Sequence, residues 1–331
     1  MGKTLFISSL SQYHSDIKEA FERLGWQAWA FSEEALYQWI ARGERPDLVL
    51  NNIINPMTDR LCEEKKINHA IWTLDSWYQS PNLLGDAQQE QALKLGFPPI
   101  DSRVPFIPDG KHLWNFSVSQ ELLPMLKGQA QVYLPFAANE LRFKPMPEVE
   151  KKYEVGFIGT SLLGQDHIDG VTMLQMAGIH PSAIGNIEDI PTRVSWQMLV
   201  GMRESAEARV KACQELKAHV WGDGWEGVEG VTLMGKTDFK TTLPVSINEC
   251  AVSLNVSRAI FPGDLCPRLF EVLSCNGMLL SNRLPGIEAE FGDHVAFLDN
   301  PDAATWEGRP LIMAKHTWVH RVQEILRVIG L

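Results

Sequence analysis

The chain opens on a short apolar run, residues 4–7, followed by the polar stretch Ser8-Ser9-Leu10-Ser11-Gln12. Apolar residues then return at helical spacing (Ile17, Ala20, Phe21 and Leu24) until Gly25 stops the series. Residues 26–31 read as a second strand. Ser32 reads as the cap of a helix that carries Glu34 and Leu36 in its first turns. Pro46-Asp47 introduces the fully apolar Leu48-Val49-Leu50, and a charged helix over 59–66 leads to the buried run Ala70-Ile71-Trp72. Further on, residues 113–118 predict a strand, Ser119 caps a helix over 120–126, and 132–134 predict another strand ending at Pro135. Strands alternating with helices imply a parallel, doubly wound sheet.

A Pro-punctuated, charged segment over 143–152 then reads as a linker. Beyond it a second series of the same kind begins. It runs through a strand to Ile158, a helix over about 204–216, the strand His219-Val220-Trp221 and the turn Gly222-Asp223-Gly224. Strands are expected at 231–234, 251–255, 277–281 and 294–298, whereas 164–202 reads as an irregular insertion. The pattern therefore predicts an α/β protein of two Rossmann-type doubly wound domains facing a cleft. The domains are drawn at 1–143 and 144–315, with a last helix over 316–331 returning to the first domain.

With 331 residues there is room for two cores, and 45% apolar with 21% charged residues is ordinary for a folded protein. A net charge of −11 lacks the clustered cations that a nucleic-acid partner requires. Neither a secretory leader nor a run of membrane-spanning length is evident, so a cytoplasmic location is expected. The five cysteines form no C-x-x-C pair, and no H-E-x-x-H spacing occurs, so no metal is expected. Cys213 and Cys275 fall in apolar helical patterns and read as small core residues.

The chemistry concentrates in residues 252–282. A strand ends at the polar Asn255, a loop with Pro262 and Gly263 follows, and Pro267 opens a helix covered by Leu269, Phe270, Val272 and Leu273. The N–H groups of that first turn, around Arg268 and Leu269, together with the Arg268 guanidinium, suit a diphosphate. Glu271, one turn on, suits a sugar's vicinal hydroxyls. The same spacing also describes a local i, i+3 salt bridge. Gly159, Thr160 and Ser161 follow a strand and either cradle phosphate as a nest or form a plain turn. Gly222 and Gly224 flank a turn at which Trp225 either stacks on a base or fills the core. Asp75 follows a buried strand, as an acceptor's base or as part of a turn, and His14 is a second candidate base or an exposed loop histidine. His316 and His320, beside Arg321, read as residues packing the last helix rather than as ligands.

The segments RLFEVLSCNGMLLS, EAEFGDHVAFLD and KHTWVHRVQEIL resemble the C-terminal domain of CgeB-like glycosyltransferases of the GT-B superfamily. The family pattern R-x-F-E-x-L-x-x-x-G falls here on Arg268, Phe270, Glu271, Leu273 and Gly277, with Ser281 ending the next strand. The late histidine–arginine stretch falls on His316, Thr317, His320 and Arg321. YEVGFIGTS and VWGDGWE also resemble family segments, and the first half matches only through WTLD and YLPFAAN. The resemblance implies a nucleoside-diphosphate sugar as donor substrate, no separate cofactor, no obligatory metal, and a ribose-binding role for Glu271. Many group-4 enzymes carry a further Glu eight residues earlier, where this chain has Gly263 beside Asp264. The expected activity is sugar transfer to an acceptor: a protein, a polysaccharide or a small molecule. The rival readings are a non-catalytic nucleotide-sugar-binding protein and an epimerase or hydrolase on the same fold.

Overall fold

The computed structural model describes residues 3–8, 12–52, 55–73, 110–121, 123–163, 190–257, 263–301 and 307–331. The chain divides into two compact units: residues 1–135 with 318–331, and residues 136–317.

Unit 1 runs β1 (Thr4–Ser8), α1 (His14–Arg23), β2 (Gln27–Phe31), α2 (Glu33–Ala41), β3 (Leu48–Asn51), α3 (Pro56–Lys65), β4 (Asn68–Thr73), β5 (Leu113–Ser117) and β6 (Ala130–Tyr133). Its six strands are all parallel, in the order β2-β1-β3-β4-β5-β6. Parallel strands covered on both faces are apolar along their length, and β3 is buried at every position. Helix starts follow local chemistry. The Ser32 side chain accepts from the Ala35 N–H at 3.4 Å, and Asn55 Oδ1 accepts from Met57 and Thr58 ahead of Pro56 in the first turn of α3. The helix expected over 120–126 is reduced to a 3₁₀ turn at Leu123–Met125, closed by i→i+3 bonds from Leu123 to Gln120 and from Leu126 to Leu123. Pro124 supplies no N–H and disfavours α geometry at Leu123.

Unit 2 runs β7 (Tyr153–Ile158), α4 (Ile190–Glu215), β8 (His219–Trp221), β9 (Thr232–Gly235), α5 (Thr242–Glu249), β10 (Cys250–Asn255), α6 (Pro267–Ser274), β11 (Met278–Ser281), α7 (Pro285–Phe291), β12 (Ala296–Phe297) and α8 (Arg309–Lys315). The strands are again parallel, ordered β12-β11-β10-β7-β8-β9. Numbered within the unit this is 3-2-1-4-5-6, the Rossmann order. Its core joins Val155 and Phe157 of β7, Cys213 of α4, Val220 of β8 and Leu254 of β10. Cys213 and Cys275 are buried free thiols, and burial pushes both up to about 12. The insertion expected over 164–202 is helical from Ile190 onward, and its earlier part lies outside the described residues.

Residues 136–143 belong to unit 2 rather than ending unit 1. The Phe143 ring is buried, and its carbonyl accepts bonds from Ser274 Oγ and Arg309 Nη1. The last helix, α9 (Trp318–Ile329), is part of unit 1. Its first residue, Trp318, stacks edge-on against Trp72 (5.4 Å between ring centroids) and packs against Tyr13 (5.5 Å). Trp72 Nε1 donates to the Leu134 carbonyl at 2.9 Å, and Arg321 Nε donates to that of Pro135 at 2.8 Å. Among the described residues no helix is long and apolar enough to cross a membrane.

Because Trp318 is 3% exposed and fills the space between Tyr13 and Trp72, Trp318→Ala is expected to cost about 3–5 kcal/mol of unfolding free energy. Denaturant titration of the full chain measures this, and a change below about 1 kcal/mol would show that the helix is held by other contacts.

Candidate functional site

In a doubly wound sheet, ligands sit beyond the carboxyl ends of the strands where the winding reverses. In unit 2 that point lies between the adjacent strands β7 and β10: β7 continues to β8 and β9 on one side, and β10 to β11 and β12 on the other. The segments that leave these strands are 159–163 and 256–257; the sequence candidates Gly159, Thr160 and Ser161 lie in the first, and Asn255 is the last residue of β10.

The loops after β7 and β8 are zipped together. Gly159 N donates to the Trp221 carbonyl at 2.8 Å, and Ser161 N donates to that of Asp223 at 3.0 Å. Leu162 N and Leu163 N donate to Thr160 Oγ1 and Ser161 Oγ, both at 3.0 Å, and Ser161 Oγ donates to the Gly224 carbonyl. Of the two readings of this segment, nest or plain turn, Gly159 and Ser161 fit the turn, because their amides are committed within the protein. Gly222 and Gly224 are required by the same contact. Gly222 has φ +135, and a Cβ there would lie 2.4 Å from the Gly159 carbonyl oxygen. A Cβ on Gly224, at φ +77, would lie 2.5 Å from Ser161 Oγ. Trp225 is 1% exposed. Its Nε1 donates to the Gly159 carbonyl at 2.8 Å and its ring meets Phe157 edge-on at 5.4 Å. Its polar atom and its ring are both taken up by protein, so it is a core residue and the stacking role does not fit.

On the other side, Asn255 is held in a closed polar network. Its Nδ2 donates to Ser257 Oγ and to Ser281 Oγ, both at 2.9 Å, and its Oδ1 accepts from Cys266 Sγ at 3.0 Å. Asn282 closes the network, with Oδ1 accepting from Ser257 N at 2.9 Å. Asn255 thus ties the end of β10 to the end of β11 and to Cys266, the residue that caps α6. Leu269 is fully buried and its amide donates to the Cys266 carbonyl at 3.2 Å, so neither its side chain nor its N–H is available to a ligand.

Arg268 and Glu271 remain as the charged pair at the start of α6. Nη1 of Arg268 contacts Oε2 of Glu271 at 2.5 Å, with the side chains 21% and 2% exposed. The i, i+3 salt bridge that the spacing allowed is therefore present, and it places a buried carboxylate under a partly open guanidinium. Arg268 Nε is buried with no hydrogen-bond partner among the described residues. Phe270, between the two, packs against Phe291 and against the buried His316 ring, whose Nε2 lies 2.9 Å from Glu290 Oε1.

His14 is the first residue of α1, half-buried, rather than a loop residue. Asp75 lies outside the described residues. Among the described residues no group of three or more His, Cys, Asp or Glu could hold a metal. Three residues that build the site carried no functional signal in the sequence: Ser257 and Asn282, which close the polar network, and Arg209 of α4. Arg209 Nη1 donates to the Thr160 carbonyl at 3.0 Å and Nε to the Val256 carbonyl at 2.9 Å.

Residues 202–307, which include Arg209, Asn255, Arg268 and Glu271, match the glycosyl transferase-like family. No curated protein sequence matches the chain. Among solved structures, the fold is similar to that of Anabaena HepE in complex with UDP and glucose. The match covers 100% of both chains at 12% identity, with a TM-score of 0.50. A glycosyltransferase from Rickettsia africae matches over 99% of this chain and 93% of its own, at 9% identity and a TM-score of 0.45. The chain thus has a GT-B-type fold of two parallel-sheet α/β units, with a glycosyl transferase-like segment that spans most of the site.

Two outcomes follow from this geometry. Gly222→Ala is expected to destabilise by more than about 1 kcal/mol, because it forces an L-residue to positive φ against a fixed carbonyl; a melting temperature equal to wild type would refute the close approach. Arg268→Met should cost about 3 kcal/mol by removing the cation paired with the buried Glu271 carboxylate, and adding Glu271→Leu should recover most of it. A double-mutant cycle checks this, and additive losses would mean that the pair does not act as one.

Proposed function

We propose that this protein is a glycosyltransferase that binds a nucleoside-diphosphate sugar at the switch point of unit 2 and transfers the sugar to an acceptor. The observation that carries the reading is the Arg268–Glu271 pair at the head of α6, beside the β7–β10 junction and inside the family-matched segment. A diphosphate seated at this helix start meets the positive end of the helix and a guanidinium whose Nε has no hydrogen-bond partner among the described residues. As the bond to the sugar breaks, charge gathers on the departing diphosphate, and Arg268, already held in place by Glu271, stabilises it with little reorganisation. Ribose hydroxyls donate to the Glu271 carboxylate, which shares its charge between them and Arg268.

The same reading includes the finer points carried by the sequence resemblance: a CgeB-like subgroup, no metal requirement, no separate cofactor and a cytoplasmic site of action. It names His14 and Asp75 as the candidate bases for the acceptor's proton. HepE was solved with UDP and glucose, which makes uridine nucleotides the first to test. One observation favours the non-catalytic alternative. Position 263, where many group-4 enzymes have Glu, is a glycine and so carries no carboxylate.

The test is thermal stabilisation by UDP, GDP, ADP and TDP and their common sugar conjugates. The melting temperature should rise with ligand as RT ln(1 + [L]/Kd), about 2.7 kcal/mol at a hundredfold excess over Kd. One nucleotide family should shift it, Glu271→Ala should weaken that shift, and nucleoside diphosphate should be released once an acceptor is present. No shift with any nucleotide would sink the reading. Binding without release across an acceptor panel would favour the binding protein.

A further inference from the structure

The amides that follow β7 are turned inward, so that loop supplies no donors from Gly159, Ser161, Leu162 or Leu163 to a diphosphate. Near the junction stand instead two carbonyl oxygens, that of Thr160 in this loop and that of Val256 in the segment after β10. Carbonyls carry negative partial charge and repel an anion. Arg209 meets both. Nη1 takes the Thr160 carbonyl at 3.0 Å and Nε takes that of Val256 at 2.9 Å. Its guanidinium also lies 5.7 Å from the centroid of the Phe157 ring on β7. One cation thus spans the two segments that flank the reversal of winding, and its fork geometry fits two carbonyls better than a lysine could.

We infer that Arg209 is a positioning residue for the diphosphate: it neutralises the Thr160 and Val256 carbonyls and reverses the sign of the local field, so that the junction accepts an anion. This rests on the donor reading above. It differs from a purely structural bracket in what it predicts for ligands of different charge. Screening of carbonyls matters for a diphosphate and not for a neutral nucleoside, whereas a collapsed loop weakens both alike.

The experiment is calorimetric titration of wild type, Arg209→Gln and Arg209→Lys with UDP and with uridine, repeated with the guanine pair if the thermal screen selects GDP. Arg209→Gln is expected to bind the diphosphate about tenfold more weakly, with nucleoside affinity unchanged. Arg209→Lys keeps the charge but loses the fork that spans both carbonyls, so its diphosphate affinity should fall between wild type and Arg209→Gln, with nucleoside affinity unchanged. If Arg209→Gln does not fold, Arg209→Lys decides: an equal loss for diphosphate and nucleoside, or no loss for either, overturns the inference, and a loss confined to the diphosphate supports it. Wild-type binding together with an unaffected Arg209→Gln overturns this inference and leaves the donor reading standing. A wild type that binds no nucleotide at all overturns the donor reading and this inference with it.

Discussion

The β7–β8 side of unit 2 depends on one atom, the carbonyl oxygen of Gly159. It accepts the Trp225 indole at 2.8 Å, and it lies so near Gly222 that no side chain fits there. Once these two backbones touch, the rest is constrained. The Gly159 and Ser161 amides must find partners across the contact, and they find the Trp221 and Asp223 carbonyls. Trp225 must turn into the core to reach Gly159, where it joins Phe157 and Val220. The Thr160 carbonyl is left facing Arg209. A loop that looks like a ligand cradle is instead a rigid wall, and the proposed donor site rests on side chains of α4 and α6.

The strands were readable because parallel strands covered on both faces must be apolar nearly throughout, as in Leu48-Val49-Leu50 and Ala70-Ile71-Trp72. Helix α6 was readable because Pro267 marks its first turn and its apolar residues recur at helical spacing. The two elements misread have local causes. Pro124 limits 120–126 to a 3₁₀ turn. In the first part of α4, Val194, Trp196, Met198 and Val200 alternate with a strand-like period and Gly201 interrupts, so sequence pattern hides a helix that runs unbroken from Ile190 to Glu215.

The candidate site was less readable, because spacing gives neighbours along the chain and says nothing of which atom is already occupied. Arg268 and Glu271 could be found from i, i+3 geometry alone. Asn255 could be placed at a strand end, but its saturation by Ser257, Ser281 and Cys266 needs contacts 2, 26 and 11 residues away. Gly222 and Gly224 could be recognised as a turn, but the reason that they must be glycine lies in residues 159–161. Arg209 was invisible. Its partners are backbone carbonyls 49 and 47 residues away, and on a charged helix it looks like any solvated arginine.

A chain of net charge −11 can still hold a doubly negative ligand, because charges beyond about 10 Å are largely screened in physiological salt. What the ligand meets is the local balance. Around the ends of the unit 2 strands much of the acid is already spent. Arg283 binds Asp299 with both donors and also Glu288, and Lys236 pairs with Asp223 at 2.6 Å. The Glu271 charge is held beneath Arg268 and is 2% exposed. The Thr160 and Val256 carbonyls at the junction are capped by Arg209. Sequence-wide charge argues against a broad polyanion such as a nucleic acid, which would need many cations in a row. It does not argue against the proposed site for one diphosphate at a helix start, with Arg268 and Arg209 nearby.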